Sequence, residues 1–121
     1  METIHIAKEA GNQDIAILHC ISSYPASIED MNLKALLKLK KLGVLIGLSD
    51  HSLSNNPCLG AVALGVNVVE KHVSLSREMS GPDQSASLEF DEFRDLIEMA
   101  GNMVTALGQD RKKFLSSEKV L

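Results

Sequence analysis

Three short apolar runs constrain the fold of this chain more than any other feature of its sequence. They lie at residues 15–21, 44–48 and 67–73. Each run has the length of a strand that is buried on both faces, and none is long enough for an ordinary buried helix. Runs of this kind are typical of a parallel sheet that is covered by helices.

Helical patterns separate and flank these runs. They lie at residues 1–10, 33–42, 57–64 and 91–107. A glycine follows each of them, as is common at the carboxyl ends of helices: Gly11, Gly43, Gly65 and Gly108. The alternation predicts an α/β fold whose three strands are parallel and follow one another in sequence order.

The composition limits the class of partner. Hydrophobic residues make up 45% of the chain and aromatic residues 3%, which predicts an aliphatic core. The net charge of −4, without a basic cluster, argues against nucleic acid as the main partner. No signal-peptide pattern is visible at the start, and no apolar stretch approaches the ~20 residues of a membrane span. Cys20 and Cys58 form no C-x-x-C pair, so we expect a cytoplasmic, reducing setting and no membrane partner.

Polar residues lie at the carboxyl end of each predicted strand, where a parallel sheet binds its ligands. The three clusters are at residues 22–25, 49–51 and 70–72. Side chains alternate between the faces of a strand, so Ser22 shares a face with Tyr24, Ser49 with His51, and Glu70 with His72. These pairs predict a binding site at the carboxyl edge of the sheet.

His51 and His72 are the sharpest candidates for metal ligands, because imidazole suits divalent transition metals and two ligands leave positions for water and substrate. Their spacing matches no compact metal motif, so two hydrogen-bonded histidines at strand ends remain an alternative. His19 lies within an apolar run and is interpreted as a core histidine. Asp83 is either a turn residue or a carboxylate that accepts hydrogen bonds from sugar hydroxyls.

Two further residues are interpreted as structural. Cys20 is expected to be a buried cysteine, because strand alternation keeps its thiol from using the adjacent His19 as a base. Cys58 lies at a helix start without an acid–base partner nearby. Alternation also turns Lys71 away from His72, which argues against an aldolase that uses this lysine as a Schiff base.

Four motifs in order identify a family. They are LHCISSYP at 18–25, GLSDHS at 47–52, EKH at 70–72 and GPD at 81–83. Together they strongly resemble the N-acetylneuraminate synthase family, which includes the legionaminic, pseudaminic and spore-coat polysaccharide synthases. The resemblance extends from about residue 15 to residue 107, and the combination is specific although each motif alone is weak.

The resemblance implies a reaction and roles for particular residues. Phosphoenolpyruvate condenses with the aldehyde of an N-acylated sugar such as N-acetylmannosamine, with the help of a manganese or magnesium ion. By position, His51 and His72 resemble the metal ligands. Ser22, Tyr24 and Ser49 resemble residues around phosphoenolpyruvate and the sugar, and Asp83 resembles the acceptor for a sugar hydroxyl.

The resemblance also implies an architecture. Residues 1–108 correspond to the three C-terminal βα units of a (β/α)8 TIM barrel, and residues 109–121 to a charged tail. Because the family's phosphoenolpyruvate-binding lysines and proton-transfer glutamate lie in earlier strands, we expect this incomplete barrel to be inactive alone. We also expect it to self-associate or to bind the rest of a barrel. The alternative is a non-catalytic α/β module that interacts through the edges of its sheet.

Overall fold

The computed structural model describes residues 2–119 and places three strands in one parallel sheet. They are β1 (Ala16–Cys20), β2 (Leu45–Asp50) and β3 (Val68–Lys71), in the order β1-β2-β3. The predicted parallel sheet in sequence order is confirmed. β2 continues two residues beyond its predicted end, because Ser49 and Asp50 still pair with neighbouring strands.

Four α-helices of the described part of the chain accompany the sheet. They are α1 (Glu2–Glu9), α2 (Ala35–Leu39), α3 (Asn56–Ala63) and α4 (Phe90–Leu107). The predicted helix at 33–42 is shorter than expected, because a 3-10 turn at Lys40–Leu42 follows α2 and leads to Gly43 at φ 70°. Further 3-10 turns lie at Ile28–Asp30, Gln84–Ala86 and Ser116–Lys119. The outermost residues of the predicted first helix and tail, 1 and 120–121, lie outside the described residues.

The core lies on one face of the sheet, against the helices. One cluster joins Leu36 of α2 to Ile46 and Leu48 of β2. A second cluster joins Cys58 of α3 to Leu96 of α4 and Leu88 of the preceding loop. The buried residues of both clusters are non-aromatic, as the low aromatic content predicted, and Phe93 packs against the second cluster from a partly buried position.

The other face of the sheet, which we call the open face, has no helix across it within residues 2–119. Gly47 shows which residues share this face, because a Cβ there would lie 2.5 Å from the carbonyl oxygen of Val68 and 3.1 Å from Cγ of Leu18. Leu45 and Val68 remain 52% and 37% exposed on it. No helix among the described residues is long and apolar enough to cross a membrane.

Candidate functional site

The register of the sheet creates a polar row on the open face. Cys20 pairs with Ser49, and Ser49 pairs with Glu70. Each lies two residues beyond the row of Leu18, Gly47 and Val68 and therefore shares its face. The Ser49 hydroxyl donates a hydrogen bond of 2.6 Å to Oε1 of Glu70, which links β2 to β3 beneath the carboxyl edge.

His51 lies directly beyond this row and is held in a fixed orientation. Only 4% of the residue is exposed. Its Nδ1 donates to the carbonyl oxygen of Ile21 at 3.0 Å, and its own carbonyl oxygen accepts from the backbone N–H of Ala26 at 3.0 Å. Because a carbonyl oxygen only accepts, this contact requires a proton on Nδ1, so in the neutral imidazole the lone pair is on Nε2.

His72 converges with His51, as the sequence predicted. The ring centroids of the two histidines lie 5.0 Å apart with an interplanar angle of 80°. The ring of Tyr24 completes the group, with its centroid 4.2 Å from that of His51 and 5.7 Å from that of His72. Three segments that are distant in sequence therefore meet at one edge of the sheet.

Asp83 lies on the same side as the histidines, which confirms the predicted course of its loop. Its Oδ2 is 3.9 Å from Nδ1 of His72. Several contacts fold the loop back over the strand ends. Ser87 Oγ donates to the carbonyl oxygen of Asp83 at 2.8 Å, and Arg77 forms a two-bond ion pair with Glu92 at the start of α4.

The ion pair between Arg77 and Glu92 also sets the charge of this loop. The hydrogen bond from Arg77 is the main reason that the pKa of Glu92 lies below its usual value. The same hydrogen bond raises the pKa of Arg77. Both groups remain charged at neutral pH, so the loop that carries Asp83 is anchored by a permanent pair.

Cys20 departs from its predicted role. The interpretation of Cys20 as a buried structural cysteine is wrong, because it lies on the open face and is exposed. Its Sγ is 3.6 Å from Oγ of Ser22 and 3.8 Å from Nδ1 of His51. Ser22 and Cys20 therefore border the histidines on the β1 side of the site.

The remaining structural interpretations are confirmed except in one respect: the expectation that Cys58 has no acid–base group nearby is wrong, because its Sγ donates to Oδ2 of Asp50 at 3.1 Å. His19 faces the helices, where its Nε2 lies 2.9 Å from the carbonyl oxygen of Met31. Cys58 is buried, and its burial followed by the nearby charge of Asp50 raises its pKa to about 12. Lys71 points to the helix side and is paired with Asp50, away from the site.

The hydrogen bond of His51 suits a histidine that binds a divalent metal, but the site has few other side chains that could serve as ligands. A ligating histidine usually donates its other ring N–H to a carbonyl or carboxylate, and His51 does so to Ile21. Among residues 2–119, however, no group of three or more His, Cys, Asp or Glu side chains is arranged to hold a metal. Two protein ligands leave the other coordination positions to water and substrate.

Glu70 is the residue whose role the sequence analysis did not recognise. Strand alternation placed it on the face of His72, but only the register shows that it accepts a hydrogen bond from the hydroxyl of Ser49.

A broad hollow of about 540 Å³ lies at the opposite, amino-terminal edge, between Lys8, Asp14 and Val44. It is separate from the polar groups described above and does not contribute to the site.

Comparisons with known proteins show what this chain is similar to. The NeuB family model matches residues 1–112. Pseudaminic acid synthase from Campylobacter jejuni is 44% identical over 117 residues, which are 96% of this chain and 34% of that protein. Human N-acetylneuraminate-9-phosphate synthase is 37% identical over 109 residues, which are 88% of this chain and 30% of that protein.

A solved structure shows the same fold. The N-acetylneuraminic acid synthetase of Leptospira borgpetersenii, determined in complex with citrate, superposes with a TM-score of 0.85 and 34% identity. The match covers 97% of this chain and 41% of that one. The chain thus spans about a third of the length of the curated relatives it matches.

Proposed function

The chain belongs to the NeuB family, and from this premise we propose that it forms the metal and sugar side of a nonulosonic acid synthase site. The proposed reaction joins the methylene carbon of phosphoenolpyruvate to the aldehyde carbon of an N-acylated sugar. The aldehyde oxygen takes up a proton, water adds to the former enol carbon, and the bond from that carbon to the phosphate oxygen breaks. The products are a sialic-type acid and phosphate.

The observation that carries the proposal is the convergence of His51 and His72 with their ring centroids 5.0 Å apart. In this proposal His51 and His72 would hold a manganese or magnesium ion, which would supply Lewis-acid polarisation of the aldehyde. The contact of His51 with Ile21 selects the neutral tautomer with its proton on Nδ1, in which Nε2 carries the lone pair that a metal needs. The chain thereby presents a ligand without having to reorganise its backbone.

The side chains around the histidines supply contacts for the sugar and phosphoenolpyruvate. Asp83 is 51% exposed and can accept hydrogen bonds from hydroxyls above the strand ends. Tyr24 and Ser22 offer hydroxyl groups on the β1 side. Ser49 is held by Glu70 of the same row and lies one row below His51, at the inner end of the site.

We further propose that these three strands are the sixth, seventh and eighth of a (β/α)8 barrel and that catalysis requires other parts of such a barrel. The charges support this view. Lys71 is committed to Asp50 and Arg77 to Glu92, so neither is free to bind the phosphate group of phosphoenolpyruvate. The cationic groups that bind the phosphate must therefore come from other parts of the barrel. We expect no sugar-dependent phosphate release from this chain alone.

Titration with Mn²⁺ followed by electron paramagnetic resonance of the free ion tests the metal site. We expect weak binding that is lost in His51→Ala and in His72→Ala, because one imidazole cannot retain the ion. His5→Ala is the matched control, since His5 is an exposed residue of α1 whose Nε2 contacts Glu9. Equal binding by all four proteins would refute the assignment.

A further inference from the structure

A buried ion pair lies directly behind the two histidines, on the helix side of the sheet. Nζ of Lys71 is 2.7 Å from Oδ2 of Asp50, and the two side chains are 1% and 0% exposed. The two residues pair in register at the ends of β3 and β2. Each immediately precedes one of the histidines in the chain, His51 after Asp50 and His72 after Lys71.

The pair also fixes the segment that follows His51. Besides Asp50, Nζ of Lys71 donates to the carbonyl oxygen of Ser52 and, at 3.2 Å, to that of Ser54. Oδ1 of Asp50 accepts from the backbone N–H of Ser52 at 2.8 Å. Oδ2 also accepts from Sγ of Cys58 at 3.1 Å, which ties the pair to α3.

Stability alone does not account for a pair in this place. Two charges lose their hydration on burial, and replacing such a pair with neutral groups of similar size is often neutral or stabilising. What the pair supplies beyond stability is a fixed geometry at the ends of β2 and β3. Because successive side chains of a strand point to opposite faces, anchoring residues 50 and 71 to the helix side directs residues 51 and 72 to the other side.

We propose that the Asp50–Lys71 ion pair is a positioning clamp. It ties the carboxyl ends of β2 and β3 together from behind and so sets the separation and orientation of His51 and His72. Its consequence for metal binding rests on the proposed function, whereas its consequence for the histidine rings does not. Asp50 and Lys71 thus act through the histidines and contact no substrate themselves.

The decisive variant is Asp50→Asn combined with Lys71→Met. It leaves no unpaired buried charge, and the asparagine carbonyl still accepts from Ser52. We expect a lower thermal midpoint, because the carbonyl oxygens of Ser52 and Ser54 lose the donor that Lys71 supplies. The ring ¹⁵N signals of His51 and His72 should shift, and Mn²⁺ should bind about 10-fold more weakly, as is typical when the supports of metal ligands are lost.

The chain offers controls for this experiment. His5 and His19 lie away from the clamp, and their ring signals should not move in the double variant. Leu36→Val, in the core cluster under β2, should lower the thermal midpoint but leave the signals of His51 and His72 in place. A variant that merely weakens the fold is thereby distinguished from one that releases the histidines.

Unchanged His51 and His72 ring signals in the double variant would overturn the clamp. If the double variant does not fold, Lys71→Arg decides on the same signals, since a planar guanidinium keeps the charge but cannot reproduce the three contacts of Nζ. Shifted ring ¹⁵N signals of His51 and His72 in that variant support the clamp, and unshifted signals refute it. If the wild type shows no histidine-dependent Mn²⁺ binding, the proposed function is refuted. The clamp is then tested only by the ring ¹⁵N signals of His51 and His72.

Discussion

Cys20 and Cys58 show how the two faces of one sheet give the same side chain different chemistry. Cys20 is exposed on the open face beside Ser22 and His51. Cys58 is buried among Leu88 and Leu96, and it donates to Asp50. Burial and the neighbouring carboxylate both disfavour the Cys58 thiolate, which raises its pKa from 9.0 to about 12.

We predict that a disulfide reagent at pH 8 modifies one thiol of the folded chain, Cys20, and reaches Cys58 only after unfolding, because the thiolate is the reactive species. The Cys20→Ser variant should therefore show no rapid reaction. Since the folded pKa of Cys58 is raised, its contribution to stability is present below pH 9 and is lost as the pH rises towards about 12. Rapid modification of both thiols in the folded protein would contradict this assignment.

Strand β2 is the element on which the site depends, because it contacts both neighbours and carries Ser49 and His51 at its end. At Gly47, in the centre of β2, the backbone of β3 approaches closely. A Cβ on Gly47 would lie 2.5 Å from the carbonyl oxygen of Val68, and a backbone atom in a paired strand cannot move aside at little cost. Gly47 is therefore a packing requirement for joining β2 to β3.

We predict that Gly47→Ala lowers the free energy of unfolding by about 1–3 kcal/mol, the usual range for overpacking. Gly101→Ala is the matched control, because Gly101 lies inside α4 with nothing within 4 Å of its added Cβ. That change should stabilise the chain by about 0.5–1 kcal/mol through helix propensity. Denaturant unfolding monitored by circular dichroism measures both, and equal stability of the two variants would refute the packing argument.

The helices, the strands and much of the site could be predicted from the helical period and from the alternation of side chains along a strand. Strand alternation correctly placed His51 and His72 at one edge and turned Lys71 away from it. The exposure of Cys20 could not be predicted, because it depends on whether anything covers the open face, and the residues of β1 carry no information on that. The burial of Asp50 was likewise hidden, since it arises from a cross-strand partner and from Cys58 of a later helix.

At the scale of the whole molecule, helices of the described residues 2–119 cover one face of the sheet and leave the other uncovered. Within residues 2–119 no strand pairs with the outer edge of β1 or of β3, and the contact beside β3 is a single bridge between Val73 and Leu88, beyond the end of that strand. Leu45 and Val68 are exposed on the open face at 52% and 37%. Unpaired edges and contiguous apolar surface both favour association.

We predict that the chain self-associates at micromolar concentration, as measured by light scattering. Leu45→Glu and Val68→Lys should each reduce the average mass, because they place a charge on the open face. Ile6→Glu is the control, since Ile6 is 57% exposed on α1 and lies off the sheet. A stable wild-type monomer would contradict the prediction and would also remove the main support for a purely interacting α/β module.

The central claim, that the carboxyl edge of this sheet is a divalent-metal site, is tested most directly by the histidine ring signals. Mn²⁺ added below stoichiometric amounts broadens the nuclear magnetic resonances nearest to it, and Mg²⁺ serves as the diamagnetic control. We expect the rings of His51 and His72 to broaden before those of His19 and His5. We also expect that the double His51→Ala, His72→Ala variant leaves His19 sharp. Broadening of His5 first, or broadening of His19 that persists in the double variant, would contradict the account.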